Sequence, residues 1–142
     1  MNPEQIRLVQ TSWQQVLPIR VAAADLFYAR LFELAPEVRG LFKRDIHVQG
    51  AMLMHALDIV VSALERMDEV LPVARELACR HVGYGVRAKH YELVGRALLW
   101  TLAQGLGASF TPAVRQAWSE AYRSLAGAML DAAYGSRREL VD

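Results

Sequence analysis

At 142 residues the chain has the length of one ordinary domain, long enough to bury a core without disulfides or a structural metal. Sixteen Lys and Arg residues against fifteen Asp and Glu leave a formal charge of +1. These charges are interspersed rather than gathered into a basic run, so nothing favours nucleic acid or an anionic membrane as a partner. Cys79 is the single cysteine, which removes an internal disulfide from consideration. The opening Met1-Asn-Pro-Glu-Gln5 lacks the basic region and apolar run of a secretory signal, and cytoplasmic residence is the expectation.

In chain order the pattern is helical almost throughout. Asn2 caps a first helix, with Pro3 in its first turn and Gln5 completing a capping box. Ile6, Val9, Trp13, Val16 and Leu17 mark its apolar face, and Pro18 interrupts or bends it. A second helix runs from about Arg20 to Ala35 on Ala24, Phe27, Tyr28, Leu31 and Phe32, after which Pro36 opens a short helical turn ending near Gly40. Leu41 to His47 reads as a corner. Beyond it, Gln49, Met52, Leu53, Ala56, Leu57, Val60, Ala63, Leu64 and Met67 form a stripe for a helix of about twenty residues. The Ile59-Val60-Val61 triplet has strand propensity but sits inside that uninterrupted stripe.

Pro72 is expected to start a shorter helix that ends after His81. In it Val73, Leu77 and His81 fall four residues apart, with Ala74 and Ala78 widening the stripe, so the imidazole belongs to the apolar side. A buried neutral imidazole can ligate iron or zinc, or it can be a hydrogen-bonded core residue; the pattern leaves both open. Cys79 lies roughly 200 degrees around an ideal helix from His81 and reads as a structural thiol. After the turn at Gly83 and Gly85, a helix from about Ala88 to Gly105 carries Tyr91, Val94, Leu98, Leu99 and Leu102. Thr111-Pro112 caps the last, which continues through Val114, Trp118, Tyr122, Leu125, Met129 and Ala133 to a stop at Gly135. About seven helical segments with short connections, and no alternating strands, make an all-α reading.

Trp13, Leu26-Phe-Tyr28-Ala-Arg-Leu-Phe32, Ala35-Pro-Glu-Val-Arg-Gly-Leu-Phe42, Gln49-Gly-Ala-Met-Leu53, Arg80-His81, Tyr84-Gly-Val86, His90-Tyr91-Glu-Leu-Val-Gly95 and Ala117-Trp118-Ser-Glu-Ala-Tyr122 occur in one order over nearly the whole chain. In that order and spacing the chain resembles the bacterial three-over-three globins, including the globin domains of flavohaemoglobins and their single-domain relatives. The resemblance implies a globin fold, a three-over-three helical sandwich enclosing haem, with a domain over residues 1–136 and a short polar tail over 137–142. It also implies haem b (iron protoporphyrin IX), with His81 as the iron ligand and Phe42, Gln49, Leu53, Val86 and Tyr91 against the cofactor. Tyr28 and Gln49 match the positions that face a bound gas, where a phenolic hydroxyl and an amide donor stabilise negative charge.

The bland readings stand beside these. Taken alone, Gln49 is a partly exposed helix residue, and Tyr28 and Phe42 are core aromatics. Gly50 either lets the crossing helix approach closely or is a small penalty in helix propensity. His47 lines the corner or, with the distal helix shifted, approaches iron, and is assigned to the surface or a hydrogen bond because Gln49 holds the matched distal position; His55, six residues after Gln49, is assigned to packing or solvent. His90, Lys89 and Arg87 are candidates for a propionate edge, with outward salt bridges the simpler account. Trp100 and Trp118 read as core or interface residues.

The resemblance implies reversible oxygen binding, for transport or delivery, with oxygen and other diatomic gases as ligands. Flavohaemoglobins pair the tyrosine matched by Tyr91 with a glutamate on the last helix; here the matching residue is Ala133, and Asp131 is on another face. No Gly-x-Gly-x-x-Gly motif for a nicotinamide cofactor is present, and one such domain fills the 142 residues. Nitric oxide dioxygenation is therefore expected only with a separate reductase. A haem-based gas sensor acting on a separate partner is the remaining alternative.

Overall fold

Asn2 accepts the Gln5 amide on its side chain at 2.8 Å and donates its own amide to the Gln5 side chain at 3.2 Å, closing the capping box that opens α1 (Pro3–Val16). Pro18 cannot donate a backbone hydrogen bond, and the chain tightens into a 3-10 segment at Leu17–Ile19 before α2 (Arg20–Leu34). Pro36 likewise opens a 3-10 segment, Pro36–Leu41. The computed structural model describes the backbone of residues 1–42, 45–83 and 88–141, and the side chains of residues 1–42, 45–76 and 88–130.

Helix α3 (Ile46–Ser62) begins inside the stretch expected to be a corner, because the Asp45 side chain accepts the amides of His47 at 2.8 Å and Val48 at 3.4 Å. It also ends sooner than its apolar stripe suggests. A 3-10 turn at Leu64–Arg66 bends the chain by 69° into α4 (Met67–Gly83). Leu64 is buried in the main core at this bend, so the stripe continues through a change of direction. Pro72 lies inside α4 rather than at its start. So early in the helix it removes a single hydrogen bond near the end, while Asp68 and Glu69 in the first turn complement the helix dipole.

Helix α5 (Ala88–Leu106) stops where Gly107 takes the left-handed conformation, φ 55°. Thr111 then accepts the Val114 amide at 3.3 Å, with Pro112 in the first turn of α6 (Pro112–Val141). Gly135 does not end α6; glycine weakens a helix without breaking it. Helix α1 packs on α6, α2 on both α3 and α5, and α4 on α6, with α5 against α6. No single described helix is long and apolar enough to cross a membrane.

The core is tied by its tryptophans. Trp13 and Trp118 meet at 6.1 Å between ring centroids. The Trp13 indole donates to Asp58 at 2.8 Å, joining α1 to α3, and that of Trp118 donates to the buried Ser12 hydroxyl at 2.8 Å, joining α6 to α1. Each bond lets a large apolar ring be buried with its one polar atom satisfied. Between α5 and α6, a Cβ at Gly95 would stand 2.8 Å from the Tyr122 ring, so the missing side chain sets that approach.

Ser12→Ala should lower stability by roughly 1–3 kcal/mol, because it strands the Trp118 N–H in the core. Gly95→Ala should cost a similar amount, roughly 1–3 kcal/mol, by overpacking against Tyr122. Urea midpoints falling at unchanged m-value would show both effects; midpoints equal to the parent's would contradict these packing roles.

Candidate functional site

Four aromatic rings gather where α2 meets the corner before α3. Tyr28 packs edge-on to Phe27 at 5.1 Å and to Phe42 at 5.3 Å, and Phe32 meets Phe42 at 5.6 Å. Phe42 follows directly on the 3-10 segment that Pro36 opens and stays half-buried, whereas Tyr28 is buried.

Helix α3 crosses over Tyr28 at Gly50, where a Cβ would lie 2.9 Å from the Ala24 Cβ and 3.9 Å from the Tyr28 ring. Any side chain at this crossing would push the helices apart. The close approach lets the Tyr28 hydroxyl donate to the backbone carbonyl of Gln49 at 3.5 Å, a long and weak bond. Thus Tyr28 and Gln49 are brought together, through the main chain of Gln49. Burial pushes the Tyr28 phenol up to about 12, and the hydrogen bond to Gln49 opposes this.

Two faces of α3 differ. Gly50, Met54 and Val61 are buried, while Gln49, Leu53 and Leu57, one turn apart, remain half-buried. Among the described residues the buried apolar side chains form a large cluster across α1, α2, α3, α5 and α6 and a small one, Ala74, Tyr91, Ala126 and Met129, that joins α4, α5 and α6, with Tyr122 packed against both. Met67, the first residue of α4, packs on the large cluster, and the 69° bend lies between α3 and α4. The half-buried Leu53, Leu57 and Phe42 are apolar, and the Tyr28 hydroxyl reaches the Gln49 main chain one turn before Leu53, a donor set whose chemistry suits a flat and largely apolar group such as haem.

On the α4 side, Tyr91 is buried and its carbonyl accepts the Tyr122 hydroxyl. Burial, reinforced by the neighbouring Tyr91, pushes the Tyr122 phenol well up. The backbone of α4 continues through His81, whose side chain lies outside the described residues, as do Val86, Arg87 and the side chains of Cys79, Asp131 and Ala133.

His47 is exposed, with Nδ1 3.5 Å from the Asp25 carboxylate, and His55 is exposed as well. His90 departs from the outward salt-bridge reading: it is 5% exposed, with Nε2 3.8 Å from Glu37. The signal was available in the register of α5, where His90, Ala97 and Thr101 share one buried side. Lys89 is exposed, Trp118 is core, and the half-buried Trp100 carries the Arg30 guanidinium 5.2 Å above its ring.

Residues 25–129 match the Globin family. The flavohemoprotein of Chromobacterium violaceum is 37% identical over 114 residues, covering 78% of this chain and 28% of that protein. That of Bordetella parapertussis is 34% identical over 134 residues, covering 92% and 33%. Among solved structures, an engineered carbene transferase from Rhodothermus marinus, a candidate nitric oxide dioxygenase, superposes with a TM-score of 0.86 at 27% identity, covering 100% of this chain and 99% of that one. The chain spans about a third of the length of the curated relatives it matches.

The raised phenol of Tyr28 makes stability pH-dependent at the alkaline end. Below the ordinary phenol value of 10.0 both folded and unfolded chains keep the proton, and the full stability is present. Above it the unfolded chain loses the proton first, so the folded state weakens as pH rises toward about 12. Urea midpoints between pH 9 and pH 11.5 should fall in the parent and fall less steeply in Tyr28→Phe; parallel slopes would show that this phenol is not buried as described.

Proposed function

The chain belongs to the globin family and has its three-over-three fold, and from that premise we propose that it carries haem b through His81 and binds oxygen reversibly on the side walled by Tyr28, Phe42, Gln49 and Leu53. The observation that carries this reading is the buried Tyr28 hydroxyl, brought against α3 by the side-chain-free crossing at Gly50. Haem, when bound, supplies a ferrous iron with one coordination position for a diatomic gas.

Around it the chain's own residues divide the work. The helical period that puts Ala74 in the small cluster returns to His81 after two turns. A neutral imidazole there would hold the iron through one nitrogen and could donate from the other to the Leu77 carbonyl one turn back, which would set its tautomer. Val86 and Tyr91 would meet the cofactor on that side, as the family resemblance implies. Opposite, Phe42 and Leu53 exclude water. The Tyr28 phenol keeps its proton at neutral pH, as any phenol does, and is a donor alongside the Gln49 amide.

A second reading is favoured by the relatives, which are flavohemoproteins, and by the structural neighbour's description. In it the protein converts nitric oxide and oxygen to nitrate, and a separate reductase returns an electron after each turnover.

His81→Ala should lose most of its haem on gel filtration, read as the ratio of Soret to protein absorbance; retention equal to the parent's would remove His81 from the proposed role. Tyr28→Phe keeps the ring and deletes the donor. A lost hydrogen bond of roughly 1–2 kcal/mol should speed oxygen dissociation about fivefold to thirtyfold. Carbon monoxide, which draws less negative charge, should change far less. Stopped-flow rates for the two gases test this, and equal oxygen rates in parent and variant would refute a donor role for Tyr28.

A further inference from the structure

Phe42 stands in extended backbone just beyond the last residue of the Pro36–Leu41 segment. Toward α2 its fixings are aromatic: the ring meets Tyr28 and Phe32, and the Arg39 guanidinium lies 5.5 Å from the centre of the Phe32 ring. The segment also closes on itself, the Val38 amide donating to the Ala35 carbonyl at 3.1 Å and the Phe42 amide to that of Arg39 at 3.3 Å. None of these contacts reaches α5. Glu37 does. Its carboxylate, at the second position of the segment, lies 3.8 Å from Nε2 of His90 in the first turn of α5.

Among the described residues, the other ion pairs join groups three or four positions apart, except Asp25 with His47, which is exposed on both sides. Glu37 and His90 instead link two elements far apart in the chain, and the imidazole is buried while the carboxylate is half in water. A carboxylate opposite Nε2 favours the form with a proton there, which orients the ring. The end of α5 that carries it is itself fixed, because the carbonyl of Tyr91, the next residue, accepts the Tyr122 hydroxyl.

We propose that Glu37 and His90 are positioning residues: their contact ties the Pro36–Leu41 segment to the start of α5 and so sets the spacing between Phe42 and Tyr91. This rests on the haem reading above, in which Phe42 and Tyr91 both meet the cofactor, and names what holds one relative to the other. A pair with one half-exposed partner is weak, so its loss loosens the segment and not the fold.

Glu37→Ala removes the carboxylate from the exposed side and leaves no cavity in the core. Hydrogen exchange at the Val38 and Phe42 amides, a readout independent of haem, should then run about twofold to fivefold faster, with the amides of α1 unchanged. In the haem-loaded protein, transfer of haem to excess apomyoglobin should quicken by a similar factor. His90→Leu should behave as Glu37→Ala does, the double variant should add nothing further, and His90→Gln, which keeps an N–H donor, should restore most of the parent's behaviour. Exchange in Glu37→Ala at the parent's rate, or additive effects in the double variant, would overturn the tie. Faster exchange throughout the chain with a lower urea midpoint would overturn it as well, by making the pair a general stabiliser. Faster exchange with haem transfer at the parent's rate would refute the positioning of Phe42 for the cofactor. A parent that takes up no haem would reject the underlying reading, while exchange at Val38 and Phe42 would still report on the tie.

Discussion

The contact on which the candidate site depends is the crossing of α2 and α3 at Gly50, with room for a hydrogen atom and not for a methyl group. Tyr28 and Gln49 are 21 residues apart in the chain, and the close approach is what lets the hydroxyl of one reach the carbonyl of the other. It also keeps the phenol out of water, which is why its proton is held so far above the ordinary range. One absent side chain therefore governs the helix spacing and the donor's position together.

A crossing this tight needs both helices held from behind. Helix α3 is anchored by Asp58, which takes the Trp13 indole hydrogen, and by the Val61 carbonyl, which takes the Gln10 amide at 3.0 Å. The Trp118–Ser12 bond extends the tie to α6. Helix α4 is held differently, through the small cluster it shares with α5 and α6. Tyr122 packs against both clusters, and the chain turns by 69° at Leu64–Arg66 between α3 and α4.

Where the apolar pattern misled, the cause was tertiary. The stripe from Gln49 to Met67 is continuous, and nothing in its periodicity marks the 69° turn, because Leu64 is apolar for the core at the bend as it would be within a helix. Pro72, a usual helix opener, was outweighed by Asp68 and Glu69 upstream. His90 was set among outward charges by its neighbours Arg87 and Lys89, while its helix register put it in the core. Two local clues were readable and carried more than they were given: Asp45 before α3, and Gly107 after α5.

By itself the sequence determined the all-α class, the caps at Asn2, Gln5 and Thr111, the interruptions at Pro18 and Pro36, and the family, whose motifs run in order from Trp13 to Tyr122. Those features are local, set by hydrogen bonds within a turn or by a period of 3.6 residues, or they are matched position by position. Only the tertiary structure decided that Tyr28 meets the backbone of Gln49, that Gly95 admits the Tyr122 ring, and that His90 is buried beside Glu37. Each of these depends on the distance between helices far apart in the chain, and that distance is set by packing, which no local period encodes.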